Sequence, residues 1–300
     1  MSERKPDRVG QVFAALGKSV CYVTLFLGMQ VAVMLPLFVS VISEMVVGES
    51  AVDESTIAAM LSVDAMIFSM ISGLITITIV LAFYLIRRKK LSEALMLRPV
   101  PAPTLLTAVS LAPALYFLVT TGLALLPEKW IDSYIDASSG IDSGTFFGVV
   151  AVVFVAPVVE EFIFRGLVMN RLSRVMPGWL AVVLSAAAFG ACHGHPVWFA
   201  YAFVLGAVFG FIDLRAGSIW PSILGHVAFN AIGQIFTFIP ETEEGTEVVI
   251  AMGVLLVVGI ILPVLNRKAI AALFRPAPAP LAAQEQPTKP KNYDYDPWDM

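Results

Sequence analysis

The sequence predicts an all-α protein, a polytopic membrane bundle of about eight transmembrane helices with both termini in the cytoplasm. Three observations predict it. Hydrophobic residues make up 58% of the chain and charged residues only 14%, with a mean hydropathy of +0.83, whereas soluble domains carry about 25% charged residues. Apolar runs recur along almost all of the 300 residues, which favours one bundle over two soluble domains. Between those runs, basic and acidic clusters alternate, so that every basic cluster falls on one face.

In order, a basic head (Arg4, Lys5, Arg8) precedes a first span over residues 19–43. That run is longer than a signal-peptide core and lacks a small-residue cleavage site, so it reads as a retained helix. An acidic loop follows, with Glu44, Glu49, Asp53 and Glu54. The second span, 65–86, stops at Arg87, Arg88, Lys89 and Lys90, a strong cytoplasmic marker. The third, 104–126, leads into an acidic loop containing Glu128, Asp132, Asp136 and Asp142. The fourth starts near Thr145 and runs to Arg171 and Arg174.

Residues 175–212 contain no Asp, Glu, Lys or Arg. This is too long for one span, and His193-Gly194-His195-Pro196 supplies the break, because Gly and Pro disfavour an uninterrupted helix. Helices five and six are therefore expected over 179–193 and 197–214. The seventh follows Gly217 over 219–239, and an acidic loop separates it from an eighth over 248–265, closed by Arg267 and Lys268. The tail, 276–300, has the polar, Pro-rich composition of a disordered cytoplasmic segment, with Tyr293, Tyr295 and Trp298 available to an interface or partner. The domain reading is 1–144 for helices one to three, 145–239 for a functional core, 240–275 for the acidic loop and helix eight, and 276–300 for the tail.

The formal charge of -4 says little about partners, and no nucleic acid is expected among them. Cys21 and Cys192 lie in apolar runs and read as small core residues instead of a disulfide framework. Asp64 and Asp213 read as helix-end residues. No internal repeat suggests an inverted-repeat transporter.

The chemistry concentrates in the fourth helix. An ionised side chain at the centre of a membrane helix costs about 2.5–3.5 kcal/mol on insertion scales, so the cluster Glu160, Glu161 and Arg165 needs partners or a wet cavity. Glu161 and Arg165 are four apart and share a face, whereas Glu160 points about 100° away. Glu161 is therefore expected to be tied to Arg165, leaving Glu160 for general-base work. All three histidines, His193, His195 and His226, lie downstream in apolar segments. His226 and Asn230 share a helix face and form a donor pair suited to a carbonyl or oxyanion. Phe189 and His193 also share a face. His195, beside Pro196, reads as a capping or interfacial residue. One difficulty concerns depth: His226 falls about 10 Å from the cytoplasmic start of its helix and His193 about 20 Å along its own.

Glu160-Glu161-x-x-x-Arg165, Phe189-x-x-x-His193 and His226-x-x-x-Asn230, in this order on successive helices, resemble the three motifs of the CPBP intramembrane proteases. That family groups the CAAX prenyl endopeptidases with bacteriocin-processing and self-immunity proteins. The resemblance covers about residues 145–238. It implies hydrolysis of a peptide bond in a membrane-associated, possibly prenylated, protein or peptide. Glu160 and His193 would activate the attacking water, His226 and Asn230 would stabilise the oxyanion, and Glu161 with Arg165 would support them.

The family has also been called metalloprotease, and Glu160, His193 and His226 would be the zinc ligands if zinc were present. No His-Glu-x-x-His helix occurs, and a glutamate-activated water needs no metal, so a metal-free reaction is the favoured expectation. Membrane lipid and a peptide or prenylated protein are the expected partners, and a bacterial cell membrane the expected location. Two other functions fit the residues: a proton-coupled transporter with a carboxylate and histidine relay, and a non-catalytic scaffold or immunity protein of the same family.

Overall fold

The computed structural model describes residues 8–47, 54–139, 145–239 and 245–275. The expectations for Arg4 and Lys5, for the acidic residues at 49, 53, 142 and 241–244, and for the tail lie outside those residues, as do the side chains of Glu44, Glu54 and Asp64. Among the described residues every regular element is helical; besides the single turn Leu91–Ala94 these are α1 (Arg8–Val47), α2 (Glu54–Ile86), α3 (Ala102–Ala124), α4 (Glu128–Ser139), α5 (Phe146–Leu172), α6 (Gly178–Ala191), α7 (Pro196–Ala216), α8 (Trp220–Phe236), α9 (Thr246–Leu265) and α10 (Arg267–Leu273).

A helix is found at each of the eight expected positions, and the number that span rests on their length and composition. Among the described residues six helices are long and apolar enough to cross a membrane: residues 8–36 of α1, 67–86 of α2, and α3, α5, α7 and α9. The other two, α6 with 14 residues and α8 with 17, reach about 21 and 26 Å at 1.5 Å per residue, short of a hydrocarbon core of about 30 Å. Each turns one face inward, through Ser185, Ala186 and Phe189 on α6 and Ser222, His226 and Phe229 on α8. Exposed Val249, Ile250, Val257 and Leu265 along α9, with Leu85 and Ile86 at the end of α2, give the outside the apolar surface an integral membrane protein needs.

Local chemistry sets the boundaries of the inner helices. Thr145 caps α5 by accepting the Gly148 N–H at 3.1 Å. Proline stands within the first two positions of both α7 and α8, where its fixed φ suits a helix start and its missing N–H is not needed. Gly217 ends α7 in the left-handed region, φ 67°, which a Cβ disfavours.

Close approach then locks the layers. A Cβ on Gly225 of α8 would fall 2.5 Å from the Ala108 Cβ of α3, and one on Gly206 of α7 would fall 3.1 Å from the Ala186 Cβ of α6. The connection after α2 is buried at Leu95 and pinned from two sides. Asn170 donates to the Glu93 and Ala94 carbonyls at 3.0 and 2.8 Å, and the Ile219 N–H donates to the Met96 carbonyl at 3.1 Å.

Two expectations fail outside the core. The acidic connection after α3 is not a plain loop: Glu128–Ser139 forms α4, whose Ser133 hydroxyl lies 3.0 Å from His195 Nε2. Of the cysteines, both are free, but Cys21 is exposed and is no core residue, because α1 turns that face outward.

Candidate active site

α5 is not a uniform α-helix. Two π-helical stretches, Ala151–Val155 and Phe162–Met169, flank the α-helical turn Ala156–Glu161 that carries both carboxylates. π-Helical hydrogen bonds span five residues, so each stretch disturbs the usual register, a device common at functional sites. Each stretch also takes a side-chain donor from another helix. Asn230 Nδ2 donates to the Val152 carbonyl at 2.8 Å, and the Ser185 hydroxyl donates to the Phe164 carbonyl at 2.6 Å.

The two carboxylates face different surroundings. Glu161 is fully buried, and its Oε2 lies 3.0 Å from Arg165 Nε, itself 1% exposed. That pair is the one the four-residue spacing predicts. Glu161 has a second partner that spacing does not reveal: His226 Nδ1 stands 2.8 Å from its Oε1. A carboxylate accepts, so the His226 Nδ1–H donates, and Nε2 is left facing Glu160 Oε2 at 3.7 Å. This is an ion-pair distance, too long for a direct hydrogen bond.

Glu160 is the more accessible of the two, with 21% of its side chain exposed. It borders a cavity of about 50 Å³ between α1, α2 and α5, to which Gln30 and Ser69 add polar groups. That volume admits water, which needs about 10–15 Å³ by the same measure. The lining of this cavity does not include His193, His226 or Asn230. Cys192 and Tyr201 lie within electrostatic reach of Glu160, which brings the end of α6 and the first turns of α7 to the same place.

His193 follows the last turn of α6, and its Nδ1 lies 2.9 Å from the Phe189 carbonyl. A carbonyl only accepts, so Nδ1 carries the proton and Nε2 is free to take one. Phe189 is the hub. Its ring meets His193 at 4.8 Å and His226 at 5.9 Å, both edge-on, and the Arg165 guanidinium lies over it at 4.6 Å. The difference in depth between the two histidines is resolved by this ring, because the end of α6 and the second turn of α8 both abut it. No hydrogen bond or ion pair joins His193 to Glu160 among the described residues.

Two further residues need comment. His195 caps α7, its Nδ1 accepting the Val197 N–H at 3.2 Å, in keeping with its position beside Pro196. Asp213 is more than a helix-end residue. It is fully buried at the end of α7, and its Oδ1 accepts the Ser222 N–H at 3.1 Å, capping the first turn of α8 from a neighbouring helix.

A zinc site does not fit these residues. Among the described residues no three His, Cys, Asp or Glu side chains gather closely enough to hold a metal ion. With His226 Nδ1 bonded to Glu161 and His193 Nδ1 to a carbonyl, each ring has only Nε2 to offer, and the two do not gather with a third ligand.

Comparison with known families bears on this geometry. Residues 142–232 match the family model described as Type II CAAX prenyl endopeptidase Rce1-like. This segment is Rce1-like. The match spans the stretch holding all three motifs and supports the CAAX protease family. No curated protein and no solved structure matches the chain. In the Rce1-like segment, α5 supplies Glu160, Glu161 and Arg165, the end of α6 supplies Phe189 and His193, and α8 supplies His226 and Asn230 up to two residues before the match ends.

Proposed function

We propose that the chain is an intramembrane endopeptidase that hydrolyses a peptide bond of a membrane-associated protein or peptide, prenylated or not. The observation that carries this reading is His226 held between the two adjacent carboxylates, 2.8 Å from Glu161 and 3.7 Å from Glu160. The Rce1-like match supports a peptidase as the reaction class.

In this reading Glu160, next to a water-sized cavity, takes a proton from the attacking water, assisted by the free Nε2 of His193. The hydroxide adds to the scissile carbonyl carbon. His226 Nε2–H and the Asn230 N–H not engaged by Val152 donate to the resulting oxyanion. Glu161 supports His226 through Nδ1 and balances the imidazolium, and Arg165 neutralises Glu161. Collapse of the tetrahedral intermediate breaks the C–N bond, and the proton held by Glu160 passes to the leaving amine. No metal is required for any of these steps.

The test is substrate trapping in membranes containing wild type or Glu160→Gln. Intact peptides that accumulate only with the variant, and fragments that appear only with wild type, support hydrolysis. Identical peptide populations would point to a scaffold. Proton-dependent flux in proteoliposomes without cleavage would point to transport.

A further inference from the structure

A second polar cluster lies about 16 Å further along α5 from Glu160, at 1.5 Å per residue over eleven residues, and the proposed chemistry does not use it. Its centre is Arg171. Nη2 of Arg171 donates to the hydroxyls of Tyr22 on α1 and Tyr84 on α2, both at 3.2 Å, and the two hydroxyls lie 3.0 Å apart. The guanidinium also lies over the Tyr22 ring at 5.5 Å. Nε and Nη1 are buried and have no hydrogen-bond partner. Among the described residues, no carboxylate forms an ion pair with Arg171.

A buried cation with two unsatisfied donors is costly unless something accepts from it. Arg171 borders a cavity of about 270 Å³ between α1, α2 and the end of α5. Lys18, Arg87 and Lys89 add three more positive charges to its wall, and no Asp or Glu is among the lining residues. The remaining wall is apolar, chiefly Leu25, Ile79, Val80 and Phe83. Ile79 and Phe83 are each 41% exposed on the outer face of α2, so the cavity opens sideways, where lipid surrounds an integral membrane protein.

We propose that this cavity is a binding site for one anionic phospholipid. The phosphate accepts from Arg171 Nε and Nη1, the surrounding cations hold its charge, and the start of an acyl chain lies along Ile79, Val80 and Phe83. Basic pockets between membrane helices recognise lipid headgroups by this chemistry. The two tyrosines hold the guanidinium in place, and the lateral opening favours a lipid over a soluble anion. The site ties α1 and α2 to α5 at the end opposite the caps of Thr145, outside the Rce1-like segment on two of its three walls.

Native mass spectrometry of the full chain in detergent, offered equal amounts of phosphatidylglycerol and phosphatidylcholine with the same acyl chains, tests this. The proposal predicts at least about fivefold more phosphatidylglycerol retained, with the preference lost in Arg171→Gln. If Arg171→Gln does not fold, the rim double variant Arg87→Gln with Lys89→Gln must reduce the preference by about the same factor, since each rim cation contributes to holding the charge. Equal retention of the two lipids overturns the proposal, as does a preference unchanged in a folded Arg171→Gln. Displacement of the bound lipid by excess inorganic phosphate would show a soluble-anion site and overturn it too.

Discussion

His226 donates from Nδ1 to Glu161 across 2.8 Å, joining α8 to α5 through two residues 65 apart in sequence. The contact makes Glu161 the centre of a buried chain, Arg165 to Glu161 to His226, with neither end in water. Glu161 therefore has an architectural duty that Glu160 lacks.

Removing one member of this chain strands the others. Glu161→Gln or Arg165→Met is expected to cost about 3–5 kcal/mol, because each leaves an uncompensated buried charge. The double replacement Glu161→Leu with Arg165→Leu is expected to cost less than the sum of the singles. Thermal unfolding of the purified chain in detergent checks both. Additive losses would show that the two side chains do not act as a pair.

Asp213 acts on His226 at second hand, by holding the first turn of α8. Asp213→Ala is expected to destabilise by about 1 kcal/mol, as loss of a helix cap does. It should also lower kcat with little change in KM, because it moves the helix that carries His226 and Asn230 and touches no substrate. Asp213→Asn keeps an acceptor at Oδ1 and should restore most of both. An Ala variant as stable and active as wild type would remove Asp213 from the account.

Packing of α8 against α3 sets the same helix from the other side. Gly225→Ala places a methyl 2.5 Å from the Ala108 Cβ, and overpacking of that kind costs about 1–3 kcal/mol. Ala108→Gly in the same chain should recover most of the loss. A Gly225→Ala variant with unchanged melting temperature would mean that α3 and α8 yield freely.

These three contacts show what the sequence reveals and what it does not. Helical spacing alone pairs Glu161 with Arg165 and turns Glu160 aside, since both facts are local to one helix. The order of charged and apolar runs likewise finds the later long helices to within a few residues, whereas α1 and α2 each begin eleven residues before the expected span, at Arg8 and Glu54. The contact of His226 with Glu161 is not local, and no periodicity in either helix encodes it. The π-helical stretches of α5 are equally silent, because nothing in the order of residues over Ala151–Val155 and Phe162–Met169 marks the change of register, and the donors that meet their carbonyls, Asn230 and Ser185, come from other helices. Span number is hard to read for a related reason. Apolar composition marks α6 and α8 as buried, but burial in protein and burial in lipid demand the same residues, and only length separates them.

Chelation gives an independent check on the chemistry. No three metal-ligating side chains gather among the described residues, so peptidase activity is expected to survive exhaustive treatment with a zinc chelator. Loss of activity with specific recovery on adding zinc would require these side chains to rearrange around a metal.

The division of labour between the two carboxylates is the central claim, and one pair of measurements on Glu160→Gln tests it most directly: its melting temperature and its turnover of a membrane-anchored peptide beside wild type. The account predicts an unchanged melting temperature and KM with kcat lower by about 10²–10⁴, the usual contribution of a general base. A folded Glu160→Gln chain that cleaves at the wild-type rate would contradict it.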